Sequence, residues 1–337
     1  MHYINSDCRL NKYVLMCSAF PDCPKTGSNI RNELEDGLET MGVSREDIAK
    51  ITFVTDQDSN IVKALEVYQR LPCMAHSINT VLKHVLSEQF LKENVPNILA
   101  ILNTVRATVS YFKRRGLCVR LNSSLKQWVS TRWNSYFDML VSVHSQIDSV
   151  KAVLHNEGAS DKMLGYGHHI TGQLIEFLKP FKEATVDLES DKDPTLHLVL
   201  PWFYALKTHC TVRDNDEEDM KPLKQAADAF LEQKMCVSML HKIATFMVAN
   251  YRTLRKLTED EKIEVYQAAR QMCAEGKLKD DFNKIKSESF QNKEVPFVSF
   301  NRQGDKGEMK DPNWQLISDF YVNKPKREKI LKNLVAY

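Results

Sequence analysis

From residue 77 onward the sequence settles into one repeating pattern, apolar side chains three and four positions apart, and this restricts most of the chain to helices. In SINTVLKHVL (77–86), Ile78, Val81, Leu82, Val85 and Leu86 share one helical face. VPNILAILNTVRATVSYFKRRG (95–116) does the same with Ile98, Ile101, Leu102, Val105, Val109 and Phe112. Gly116 then marks a stop, since glycine enters the left-handed conformation that ends helices at little cost. Comparable patterns recur around 132–155, 170–190, 195–210, 220–255 and 259–285. The acidic run DNDEED (214–219) reads as a solvated loop. The last stretch, with NRQGDKGEMKDPN and NKPKREK, reads as a weakly structured connector or tail.

The first 76 residues have a different texture. MHYI at the start, KYVLMCSAF (12–20) and ITFVT (51–55) are short runs rich in aromatic and β-branched residues, and strands are expected there. Between the last two, Ile30, Leu34 and Leu38 lie at helical spacing behind the capping candidates Thr26 and Ser28. Asp58 or Ser59 can cap a short helix carrying Ile61, Val62 and Leu65, and RLPCMA (70–75) reads as a further strand. The expected class is therefore α/β plus all-α: residues 1–76 as a small α/β part, 77–300 as a helical domain, and 301–337 as the tail.

Composition excludes several roles. With 46 basic against 44 acidic side chains, the net charge of +2 provides no global attraction for nucleic acid, so any such role rests on local patches. No apolar run approaches the roughly 20 residues of a membrane span, and no membrane partner is expected. The eight cysteines are scattered, which fits reduced thiols better than a disulfide framework. No Gly-rich phosphate loop, dinucleotide fingerprint or serine-nucleophile elbow occurs.

Three spots remain as chemical candidates. Asp56 follows an expected strand, where α/β folds expose catalytic groups. A two-metal phosphoryl-transfer site needs several converging carboxylates, however, and Asp58 is its sole near companion. Turn chemistry for Asp56 and capping for Asp58 are the ordinary roles of such residues and, on spacing alone, outweigh the catalytic one. Cys73 and His76 form a C-x-x-H pair, but zinc takes about four ligands and no second pair stands at suitable spacing. STRWNS (130–135) sets Arg132, a phosphate-binding fork, beside Trp133, a flat stacking surface for unpaired bases, although a core tryptophan beside a solvated arginine is the commoner meaning of such a pair. Lys113, Arg114 and Arg115 lie upstream as a basic cluster at a helix end, which is also where a solvated helix terminus carries cations.

Taken in order, HYI (2–4), VTDQDSNIVKAL (54–65), LPCMAHSIN (71–79), STRWNS (130–135), LIEFLKPFKEAT (174–185) and PTLHLVLPW (194–202) resemble the hAT superfamily of DNA transposases, in the style of its Hermes and hobo group. The resemblance covers roughly residues 1–210. It implies an RNase H-like core in which two aspartates and a glutamate bind Mg2+ or Mn2+ and cut DNA, interrupted by a large helical insertion domain. Asp56 then matches the second aspartate, a remnant of the metal-binding triad. Cys73 and His76 match the pair beside the active site. Trp133 after Arg132 matches the aromatic that stabilises a flipped or hairpinned DNA end. The family's first aspartate and its strand, its glutamate and its dimerisation region have no counterpart string here. The expectation is a partial core lacking its first strand, no cofactor held by this chain, and a catalytically inactive nuclear derivative that retains DNA, or a protein partner, as its ligand. A piece of an active metal-dependent transposase and a helical interaction scaffold are the alternatives.

Overall fold

A computed structural model describes residues 2–4, 10–129, 133–190 and 192–274. Arg132, whose role was expected from STRWNS, and the tail at 301–337 lie outside the described residues. The chain opens with β1 (His2–Ile4), β2 (Leu10–Lys12), α1 (Gly27–Thr40), α2 (Arg45–Ile48), β3 (Thr52–Thr55), α3 (Ser59–Ala64) and β4 (Gln69–Pro72). Helices follow: α4 (Met74–Val85), α5 (Glu88–Asn94), α6 (Pro96–Arg114), α7 (Asn134–His144), α8 (Ile147–Asn156) and α9 (His168–Leu188). The last are α10 (Val199–Cys210), α11 (Met220–Lys234), α12 (Met239–Met247) and α13 (Glu259–Ala274). Two compact units divide these elements, one built from 1–73, 188–205 and 236 onward, the other from 74–187 and 206–235.

The first unit is organised around a βαβ turn. β3 and β4 run parallel, Thr52 opposite Gln69 through Thr55 opposite Pro72, and the Cys73 N–H extends the ladder to the Thr55 carbonyl at 2.6 Å. Asp58 starts the connecting helix by accepting the Asn60 N–H at 3.0 Å. That pairs one of the orphan donors of a helix too short to stand alone. Arg31 on α1 then closes the other end of α3, donating to the carbonyls of Ala64 at 2.6 Å and Lys63 at 2.9 Å. The helices meet at Gly27, where a Cβ would lie 2.9 Å from the Lys63 side chain. Glu35, nearly buried, accepts from Arg45 Nη1 at 2.8 Å and from the Tyr68 hydroxyl. A parallel βαβ is present, but the described residues show a two-stranded parallel ladder rather than a full RNase H-like sheet.

The strand expected over 12–20 is not found. β2 ends at Lys12, paired antiparallel with β1, and 13–20 carries no regular structure. Its apolar residues are not on a buried face: Val14 is 86% exposed, while Met16 lays its sulfur where Gly37 has no Cβ. Later in the same unit, Leu200, Ile243, Phe246, Met247, Leu254, Leu257 and Val265 form a buried cluster between α10, α12 and α13.

The second unit is a helical assembly whose faces are those the periodicity marks. Ile78, Val81, Leu82 and Val85 of α4, and Ile98, Leu102, Val105, Val109 and Phe112 of α6, are all buried. α11 packs on α4, with the rings of His84 and Phe230 stacked at 4.7 Å. The single pattern expected over 132–155 is two helices. Between them Gln146 folds back, donating to the carbonyls of Ser123 at 3.0 Å and Ser142 at 2.9 Å. The pattern over 220–255 likewise divides into α11 and α12. The acidic run is not wholly solvated: Asp216 is largely buried, accepts the Arg213 N–H at 2.8 Å and pairs with Lys224.

Candidate functional site

Asp56 stands at the exit of β3 with its side chain exposed. Its Oδ1 accepts the Asp58 N–H at 3.3 Å, and Asp58 in turn accepts the Asn60 N–H. Arg70 Nη1 donates to the Asp56 carbonyl at 3.1 Å and to the Thr55 hydroxyl at 3.2 Å. Both carboxylates thus serve a turn and a cap. Among the described residues no group of three His, Cys, Asp or Glu side chains converges as metal ligands. The residues described do not fit a pair of divalent ions, which needs several carboxylates around metals about 3.5–4 Å apart. His76 lies exposed in the first turn of α4, its carbonyl accepting the Thr80 hydroxyl at 3.0 Å. Cys73, half-buried at the end of β4, carries a free thiol.

The basic cluster is positioned by a helix end. α6 closes with Lys113 and Arg114, Arg115 is its C-cap, and Gly116 follows with φ 65°. All three cations are exposed. Carbonyls at a helix C-terminus favour cations, so the geometry is stable without any ligand. Lys113 reaches Ser124 Oγ at 3.0 Å, and Arg115 and Lys162 approach Tyr111 at 5.8 and 5.9 Å from its ring centre. Arg120, beyond the glycine, is neutralised by Glu157 at 2.7 Å.

Trp133 is not an open platform. It precedes α7 with 3% of its surface exposed, and its indole Nε1 is buried without a hydrogen-bond partner among the described residues. Its ring lines a cleft of about 220 Å3 together with Leu82, Leu86, Leu91, Arg106, Trp128 and Tyr136. Arg106 is held by aromatic faces, its guanidinium carbon 4.0 Å from the Trp128 ring centre and 5.6 Å from that of Tyr136. Arg106 Nη2 donates to the Tyr136 hydroxyl, and burial raises the pKa of that phenol. Motif and periodicity alone pass over Arg106, Trp128 and Tyr136. A signal exists for Arg106, which directly follows Val105 and lies four residues from Leu102 on the apolar stripe of α6.

No family model matches the chain. The Transposable element Hobo transposase of Drosophila melanogaster is 27% identical over 250 residues, 71% of this chain and 35% of its own length. Zinc finger protein 618, from Homo sapiens and from Mus musculus, is 26% identical over 179 residues, 52% of this chain and 18% of its own length. The Hobo match supports a hAT-like transposase relationship. The chain spans little more than a third of that relative and less than a fifth of the zinc finger proteins.

Proposed function

We propose that this chain is a transposase-derived protein that holds DNA through its second, helical unit and does not itself cut a strand. The observation that carries the reading is the exposed triad Lys113, Arg114 and Arg115 at the end of α6, on a chain that is 27% identical to a transposase. The paired roles of Asp56 and Asp58 support the loss of cleavage, because a carboxylate committed to a turn is a poor start for a metal pair. The β3–α3–β4 unit, with Asp56 at the exit of a parallel strand, is what remains of an RNase H-like sheet on this reading. A DNA-holding protein of this kind would work in the nucleus.

Fluorescence anisotropy of the 337-residue chain on hairpin and duplex oligonucleotides, across a salt series, tests the proposal. Binding should weaken steeply with salt. The combined Lys113→Ala, Arg114→Ala and Arg115→Ala variant should lower the slope of log K against log salt by up to about 2.7, roughly 0.9 for each phosphate no longer neutralised. An unchanged slope in that variant would remove the triad from the interface. The 35% share of Hobo that is matched favours a second reading, in which the chain is one piece of a longer, active transposase. Cleavage of the hairpin by this chain on adding Mg2+ or Mn2+ would overturn the first reading, and cleavage only when the chain is extended by flanking segments would support the second.

A further inference from the structure

The connection between α12 and α13 contains a strained turn. Leu254 has φ 46° and is the single non-glycine residue with positive φ among the described residues. Leucine resists this left-handed region, which glycine enters at little cost. Such strain persists only where the surroundings hold it, and it collects at working sites. Here the hold is visible. Leu254 and Leu257 are 3% and 5% exposed, and both belong to the buried cluster with Ile243, Phe246 and Val265. The Leu254 N–H donates to the Tyr251 carbonyl at 3.0 Å, and the Leu257 N–H to the Leu254 carbonyl at 2.9 Å. Between the two buried leucines, Arg255 and Lys256 are left on the outside, and both are exposed.

These two cations stay unneutralised although an acidic turn follows directly. Glu259 pairs with Lys262 at 2.7 Å. Glu261 pairs with Lys242 at 2.8 Å and accepts the Thr258 N–H at 3.0 Å. Asp260 is left, in the first turn of α13, where a helix N-terminus favours an anion. No carboxylate among the described residues forms an ion pair with Arg255 or Lys256. Arg31, Arg45 and Arg120, by contrast, each meet one. Two adjacent cations fixed on a pinned turn lose little backbone freedom on meeting a row of anions. A guanidinium fork beside a mobile ammonium suits successive phosphates of a nucleic-acid strand. We infer that the turn at 254–257 is a second contact for DNA phosphates, carried by Arg255 and Lys256 in the first unit. The inference rests on the DNA reading above and extends it to a unit that contains no part of α6.

The test is fluorescence anisotropy of the full chain on the hairpin oligonucleotide across a salt series. Four proteins are compared: the parent, the turn variant Arg255→Ala with Lys256→Ala, the Lys113→Ala, Arg114→Ala and Arg115→Ala variant, and the chain with all five substitutions. The turn variant should lower the slope of log K against log salt by up to about 1.8, roughly 0.9 for each phosphate no longer neutralised. All five substitutions together should lower it by more than either set alone. Arg255→Lys with Lys256→Arg keeps both charges and should keep the parent slope. Both side chains are exposed, so the turn variant should match the parent in near-ultraviolet circular dichroism. A slope that falls with the α6 triad and not with the turn would overturn the inference and leave the DNA reading standing. A slope that falls with the turn and not with the triad would uphold the inference and remove α6 from the interface. A parent chain without salt-dependent binding would overturn both. A turn variant whose slope holds while its affinity for polyglutamate drops would assign the turn to an acidic protein and overturn the inference alone.

Discussion

At the level of single residues, burial decides what Trp133 and His241 do. With 3% of its surface exposed, Trp133 contributes chiefly to packing in the free protein. Trp133→Ala should cost about 3–5 kcal/mol in urea unfolding, the range for large-to-small aromatic deletions in a core. Trp133→Phe should cost markedly less, because it keeps a ring and deletes the unpaired donor. A Trp133→Ala chain as stable as the parent would show that the indole is not part of the core. His241 is 1% exposed, and burial pushes its imidazole from 6.5 down to about 4. Its Nδ1 accepts the Ser238 N–H at 3.0 Å, an acceptor role that protonation abolishes. A folded-state value below the unfolded one means folding favours the neutral ring. The contribution is then complete above about pH 6.5 and is lost as the pH falls toward 4, to a total of about 3 kcal/mol. His144, lowered by burial and by the stacked His168 at 4.3 Å, adds to the loss with the same sign. Between pH 6.5 and 5 the carboxylates with lowered pKa values, such as Asp216 and Glu261, are still ionised, so the histidines dominate that window. The unfolding free energy measured at several pH values should be visibly flatter there in His241→Gln. Glutamine retains a capping acceptor without the titration.

At the level of elements, what is legible are features written in neighbouring residues. Thr26 caps α1, accepting the Asn29 N–H at 3.3 Å, Asp58 caps α3, and Gly116 ends α6, each readable from residue type and place. Gly116 has φ 65°, and no atom lies within 4 Å of where a Cβ would stand, so its substitution tests backbone conformation alone. Gly116→Ala should cost about 1–2 kcal/mol of stability, from the left-handed conformation an L side chain resists. A neutral result in thermal unfolding would mean the turn relaxes without it. The break at Ser145 and Gln146 is illegible because neither Gly nor Pro marks it; a side chain turning back to Ser123 makes it. Conversely Pro180 sits inside α9 without ending it. KYVLMCSAF has strand composition, but composition cannot supply a neighbour to pair with. The cleft is illegible for a related reason. Arg106, Trp128 and Tyr136 come from α6, a loop and α7, and no local pattern announces that they meet.

At the level of the whole molecule, the path of the chain matters more than the change of texture at residue 77. The first unit is completed by 188–205 and 236 onward, so the chain leaves it after residue 73 and returns to it twice. Periodicity identifies helices but carries no information on which unit a helix joins. The consequence is testable by dividing the chain. Within 1–73 the buried apolar residues among those described are Leu38, Ile48, Ala64, Leu65 and Leu71, a thin core for a segment of that length. Domains of this size bury only about 60% of their unfolded surface even when well packed. Its two sheets, each of only two strands among the described residues, add little independent stability. Residues 1–73 expressed alone should therefore show no cooperative unfolding by circular dichroism. Residues 74–235 contain every segment of the second unit, including the α11 face that packs on α4 and the stacked His84 and Phe230. That fragment should unfold cooperatively and keep the salt-dependent DNA affinity ascribed to Lys113, Arg114 and Arg115. A cooperative transition in 1–73 would mean that its few buried residues suffice without the returning segments. Loss of DNA affinity in a folded 74–235 would place the interface outside the helical unit.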